Sequence, residues 1–133
     1  MTGVQTCALP IYYLSEAYVG RTHDYTLLKH ELPPGKEWFA GLDVKIDLGY
    51  QGFATDYPCG KVTIPHKKPR NGELTLQQKD ENTGKAKERV HVEHTIAGMK
   101  KYSFLANRLR AKDFDMYNKV LGICAGLWNF SLN

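Results

Sequence analysis

Leu42-Asp43-Val44-Lys45-Ile46-Asp47 alternates apolar and polar side chains and then meets Gly49. A period of two places Leu42, Val44 and Ile46 on one face of a strand, and the glycine marks a turn at its end. Asp47 is therefore expected where a strand delivers its last side chain to a turn. The flanking punctuation limits what surrounds it. Pro33-Pro34-Gly35 stops a short helix over 25–31, with Thr22 or Asp24 as its cap and Leu27, Leu28 and Leu32 as a partial apolar stripe. Pro65, Pro69 and Gly72 argue against regular structure from 61 to 72, where Lys61, Lys67, Lys68 and Arg70 make a basic loop.

Thr75-Leu76-Gln77-Gln78 has the spacing of a capping box and opens a long polar helix running towards Lys101, with Gly84 as its one weak point. A last helix over 113–130 puts Tyr117, Val120, Leu121, Cys124, Leu127 and Trp128 at helical spacing, which predicts a buried stripe. Tyr12-Tyr13-Leu14 and Ala17-Tyr18-Val19 ahead of Gly20 are aromatic and β-branched, and predict a strand or two short strand pieces.

With 133 residues, 42% of them hydrophobic, the chain has apolar material for one core and one small domain. A formal charge of +4 tolerates a polyanionic partner without demanding one. Cys7, Cys59 and Cys124 form no CxxC pair, which fits a reducing cytosol. The stretch 120–132 is interrupted by Gly122, Gly126 and Asn129 and falls short of the roughly 20 apolar residues that cross a bilayer, so a soluble, cytoplasmic protein without a membrane partner is expected. Residues 1–11, MTGVQTCALPI, have neither charge nor amphipathic period and resemble translated sequencing-adapter read-through. They are expected to be non-native, with the native sequence starting near Tyr12 and one domain over 12–133.

Asp47 at a strand end and Glu93 within a helix are the carboxylates best placed for chemistry, and only tertiary folding can bring them together. Acids converging from different elements suit Mg²⁺ or Mn²⁺, hard ions that prefer oxygen ligands. Two such ions can activate a water or a 3′-hydroxyl and stabilise the leaving oxygen of a phosphodiester. Arg89, Glu93, Ile96 and Lys100 follow the i, i+4, i+7, i+11 stripe and share a helix face, so cations flank the acid where phosphates would lie. A solvated face with an ordinary Arg–Glu pair is the commoner meaning of that spacing. His23-Asp24 reads more readily as a helix cap than as a metal pair. His91 and His94 lie near Glu93 without forming HExxH, and Cys59 has no histidine motif beside it. Asp43 and Asp56 are expected at the surface.

Tyr18-Val19-Gly20-Arg21-Thr22-His23-Asp24, then Ile46-Asp47-Leu48-Gly49-Tyr50-Gln51-Gly52, then Arg89-Val90-His91-Val92-Glu93-His94-Thr95-Ile96-Ala97-Gly98-Met99-Lys100 resemble, in order and spacing, the core of DDE-superfamily transposases of the bacterial insertion-sequence and Harbinger-like type. Pro65-His66-Lys67-Lys68-Pro69 and Leu127-Trp128-Asn129-Phe130 agree with it. The resemblance spans essentially everything after residue 12. It implies an α/β fold, an RNase H-like mixed sheet flanked by helices, here incomplete because the first strands are missing. It also implies three acids holding two divalent metals, Mg²⁺ or Mn²⁺. Asp47 matches the second acid, in D-x-G-Y-x-G, and Glu93 the third. The first belongs upstream of Tyr12, and Asp24, part of a separate motif, does not replace it.

The resemblance makes residues 12–133 the C-terminal part of a catalytic domain. Its intact parent would cleave and transfer DNA strands, acting on transposon ends and target near the bacterial nucleoid, with homo-oligomerisation in the parent. The chain alone is expected to be inactive. The DNA contacts would come from Lys61, Lys67, Lys68 and Arg70 of the loop and from Arg89 and Lys100 beside Glu93. A noncatalytic nucleic-acid-binding remnant using the 61–72 loop and the Arg89/Lys100 face is the alternative. An unrelated cytosolic domain would leave the linked motifs unexplained.

Overall fold

The computed structural model describes residues 8–106 and 113–132; residues 1–7 of the segment read as non-native, Cys7 among them, lie outside the described residues. The chain divides into two compact units, one of Tyr18–Lys87 and one of Met1–Ala17 with Glu88–Asn133. Among the described residues no helix is long and apolar enough to cross a membrane.

The Tyr18–Lys87 unit begins with α1 (Asp24–Glu31). Its N-cap is His23, where the sequence suggested Thr22 or Asp24: His23 Nδ1 accepts the Tyr25 N–H at 3.3 Å. Asp24 lies in the first turn and Lys29 and His30 in the last, the charge order that the helix dipole favours. β1 (Phe39–Lys45) pairs in parallel with β2 (Cys59–Thr63), Asp43 opposite Lys61 and Val44 opposite Val62, with an irregularity between Phe39 and Asp43. A parallel pair needs a crossover. It is supplied by a 3-10 turn (Leu48–Tyr50) and α2 (Phe53–Asp56). Gly52, at φ +88°, turns the chain from one to the other in a conformation that L side chains resist.

The core of this unit is aromatic. Phe53 and Tyr57 are 2% and 1% exposed. Phe39 meets Phe53 at 5.2 Å and Tyr57 at 5.4 Å between ring centroids, and Phe53 meets Tyr57 at 4.9 Å. Such ring pairs each add about 0.5–1.5 kcal/mol beyond the area they bury. The Tyr57 hydroxyl donates to the Leu32 carbonyl at 2.6 Å, satisfying an acceptor that the end of α1 would leave open.

α3 (Leu76–Met99) is a single helix of 24 residues, unbroken at Gly84. Its start is the capping box that the sequence predicts: Gln78 N–H donates to Thr75 Oγ1 at 3.2 Å, and Thr75 N–H to Gln78 Oε1 at 3.0 Å. Residues 88–99 of α3 belong to the other unit, with α4 (Ser103–Ala106) and α5 (Phe114–Ser131), the last capped by Asp113. Its core is Met99, Cys124 and Ala125, with Ile11, Tyr102, Leu105, Val120, Leu121 and Trp128 packed against them. The α5 stripe is thus mostly as predicted, but Leu127 remains 49% exposed. Trp128 lies so close over Gly98 that a Cβ there would come within 2.0 Å of the indole.

The strand predicted between 12 and 19 is not formed. Segment 8–17 has no strand partner, and side chains satisfy its backbone instead. Asn129 Oδ1 accepts the Ile11 N–H at 2.8 Å while its Nδ2 donates to the Ile11 carbonyl at 2.7 Å. Thr95 Oγ1 accepts from Leu9 N–H at 3.1 Å, Trp128 Nε1 donates to the Leu9 carbonyl at 3.0 Å, and Asn118 accepts from Ala17 N–H at 2.8 Å. Aromatic character here does not mean burial, since Tyr12 is 93% exposed. Among the described residues the sheet has two strands, both parallel, rather than the mixed sheet expected.

Candidate metal-binding acids and nucleic-acid surface

Asp47 lies just past the end of β1, as the alternation predicts, although the strand itself begins earlier and stops at Lys45. Ile46 N–H still bonds the Thr63 carbonyl at 3.0 Å, and Asp47 follows in extended backbone at φ −92°, ψ −179°. Its Oδ1 accepts the Gly49 N–H at 2.8 Å, capping the 3-10 turn. Oδ2 makes no bond among the described residues. Tyr50, at the end of that turn, packs edge-on against Tyr25 of α1 with centroids 5.7 Å apart. Burial pushes the Tyr50 phenol upward, and the Asp24 and Asp47 carboxylates push it further in the same direction.

Glu93 lies on α3 in the other unit. Arg89 Nη2 and Nε donate to its Oε1 at 2.9 and 3.2 Å, and the two side chains are 53% and 55% exposed. Ile96 and Lys100 are exposed as well, so the predicted stripe is an open face, with Lys100 one residue past the helix end. Asp47 and Glu93 belong to different units. Among the described residues no three His, Cys, Asp or Glu side chains gather where they could hold a metal ion.

The basic loop is shorter than the sequence suggests. Lys61 belongs to β2, where its partner position is Asp43, and irregular backbone begins only at 64. β-Branched Val62 and Thr63 extend the strand to within two residues of Pro65, which cannot donate to a ladder. Lys67, Lys68 and Arg70 are exposed on the irregular part.

Two polar networks carry no sequence signal beyond residue type. Asp56 is no isolated surface acid: Oδ2 pairs with Lys29 at 2.5 Å and accepts the Tyr25 hydroxyl. The Lys29 hydrogen bond, then that of Tyr25, holds the Asp56 carboxyl below its ordinary value. Burial and Asp56 push the Tyr25 phenol upward. The second network joins the loop to α3. His66 Nε2 meets Glu81 Oε2 at 2.5 Å, and Asn82 bonds the His66 backbone. The His66 bond, followed by that of Gln77, lowers the Glu81 carboxyl.

A family model described as DDE superfamily endonuclease matches residues 4–129 of this chain. The chain belongs to that family. It is 31% identical over 115 residues to the probable transposase for insertion sequence element IS702 of Microchaete diplosiphon, an alignment covering 85% of this chain. The chain spans 39% of the length of that curated relative. No solved structure matches.

Proposed function

We propose that the chain is the C-terminal part of an RNase H-like transposase catalytic domain whose intact parent cleaves and joins DNA strands with divalent metal ions. The observation that carries this reading is Asp47. The acid of the D-x-G-Y-x-G motif leaves a parallel strand in extended backbone, is oriented by its own turn through Oδ1, and keeps Oδ2 free of bonds among the described residues. An acceptor held this way is preorganised for a cation.

Asp47 and Glu93 offer hard oxygen donors of the kind Mg²⁺ or Mn²⁺ takes. They fit the ion in kind but not in number, because among the described residues no group of three ligands is gathered. On this reading a third acid completes the site in the intact parent. In the parent the metal would supply Lewis-acid stabilisation to the oxygens of the phosphodiester. Arg89 and Lys100, with Lys61, Lys67, Lys68 and Arg70, would hold the phosphates of transposon ends and target DNA. The parent works as a cytoplasmic, nucleoid-associated homo-oligomer.

Residues 1–11 are read as non-native. Leu9 and Ile11 are held through backbone groups, which any residue would provide, but the Ile11 side chain packs against the core and the family match begins at residue 4, and both observations weigh against that reading for 9–11.

The second reading, a noncatalytic nucleic-acid-binding remnant, is supported by the exposed cations at 67, 68 and 70. Sequencing the gene across the Ile11–Tyr12 junction and expressing the longer frame separates the two. The transposase reading expects an Asp-bearing strand upstream, and duplex nicking by the longer protein that Mg²⁺ supports and EDTA abolishes. A frame that truly begins at Met1, with binding and no nicking, would leave only the remnant.

A further inference from the structure

Asn82, on α3, takes both backbone polar groups of one residue in the basic segment. Its Oδ1 accepts the His66 N–H at 2.7 Å, and its Nδ2 donates to the His66 carbonyl at 3.0 Å. The partners fix which amide atom is which, since only the oxygen can accept from an N–H. Lys85, three residues along the same helix, donates to the Ile64 carbonyl at 2.9 Å. Glu81 holds the His66 ring while accepting from Gln77 at 3.1 Å. Side chains from one stretch of helix thus fix residues 64 and 66 where the chain leaves β2.

Immediately beyond this clamp, Lys67, Lys68 and Arg70 are exposed and form no ion pair or side-chain hydrogen bond among the described residues. Pro65 and Pro69 bracket the two lysines, each with a fixed φ. Glu81 and Glu73 are already engaged elsewhere, Glu81 with His66 and Gln77, and Glu73 with Lys79 at 3.2 Å. The segment therefore presents uncompensated positive charge on a backbone that is already held.

We infer that Asn82 is a positioning residue for DNA, presetting the 66–70 segment so that its cations meet backbone phosphates without ordering the loop at the moment of binding. The inference rests on the DNA-contact reading of this segment given above. Preorganisation changes affinity by lowering the ordering cost, whereas a direct phosphate contact also changes how many counterions are released. Salt dependence therefore separates a residue that positions from one that touches.

The test is fluorescence anisotropy of the 133-residue chain with a labelled duplex over a salt series, alongside amide hydrogen exchange at His66. Alanine is the best helix former, so Asn82→Ala spares α3, and near-isosteric Asn82→Leu provides a second variant. Both are expected to weaken binding by roughly 3- to 10-fold with an unchanged salt slope, and to speed exchange of the His66 amide. Lys67→Ala/Lys68→Ala is expected to weaken binding and to reduce the slope by about 0.9 for each phosphate lost. If the lysine variant weakens while both Asn82 variants bind like wild type, the positioning role is overturned and the DNA reading stands. If the lysine variant itself binds like wild type, the DNA reading of the loop fails and takes this inference with it.

Discussion

Tyr25 donates its hydroxyl hydrogen to Oδ2 of Asp56, joining the first turn of α1 to the end of α2 across 31 positions of the chain. Lys29 binds the same oxygen, and its ammonium lies 4.5 Å from the centre of the Tyr25 ring. The Tyr25 ring also packs edge-on against Tyr50, so this half-buried network braces the turn that carries Asp47.

The network makes stability pH-dependent in a defined direction. The Asp56 carboxyl is lowered from 3.8, chiefly by the Lys29 hydrogen bond and then by that of Tyr25. A group lowered in the folded state contributes stability above its unfolded value and loses it as pH falls through the folded value. Thermal melts followed by circular dichroism should therefore show a steeper loss of Tm below about pH 4 in wild type than in Asp56→Asn. Parallel acid limbs in the two proteins would show that the carboxylate contributes nothing to folding.

Gly98 and Trp128 test the packing of the other unit. A methyl at 98 would lie within 2.0 Å of the indole, and the ring has to move. Gly98→Ala should destabilise the chain by about 1–3 kcal/mol through overpacking, outweighing the better helix propensity of alanine. Urea denaturation measures the loss, and a changed Trp128 emission identifies its source.

Asn129 and Ile11 form the same two-bond clamp that Asn82 forms with His66. Asn129→Ala should leave α5 helical and accelerate exchange of the Ile11 amide, read by NMR. Unchanged protection at Ile11 would mean that segment 8–17 is held by other groups.

How far the sequence revealed these features depends on how local each one is. The capping box at Thr75 and Gln78 was legible because both partners lie within one turn. Asp47 was legible because an alternating run points to its own end. β1 was only partly legible, since the irregularity between Phe39 and Asp43 breaks the period of two. Most of β2 was read as loop because Gly60 and Lys61 mask a strand whose support is its parallel partner. The Tyr12–Val19 strand was misread because aromatic and β-branched residues favour a strand wherever a partner strand is present, whereas here side chains from α3 and α5 bond the segment's backbone instead. His66, Glu81 and Asn82 meet across 15 and 16 positions, and no spacing rule joins a loop to a helix face at that distance.

Glu93 separates a structural from a chemical role. Its bond to Arg89 is an exposed i, i+4 pair, worth about 0.3–0.5 kcal/mol at most. Glu93→Gln should therefore leave the unfolding midpoint within about 0.5 kcal/mol of wild type. A much larger loss would mean that the acid serves the fold.

The most direct test is metal-dependent nicking of a transposon-end duplex by the longer parent protein carrying Asp47→Asn or Glu93→Gln. Under the proposed assignment each substitution should abolish nicking while duplex binding persists, because on that reading each would remove a metal ligand and leave the cations proposed to hold phosphates in place. Nicking at the wild-type rate by either variant would contradict the assignment of that acid to the metal site.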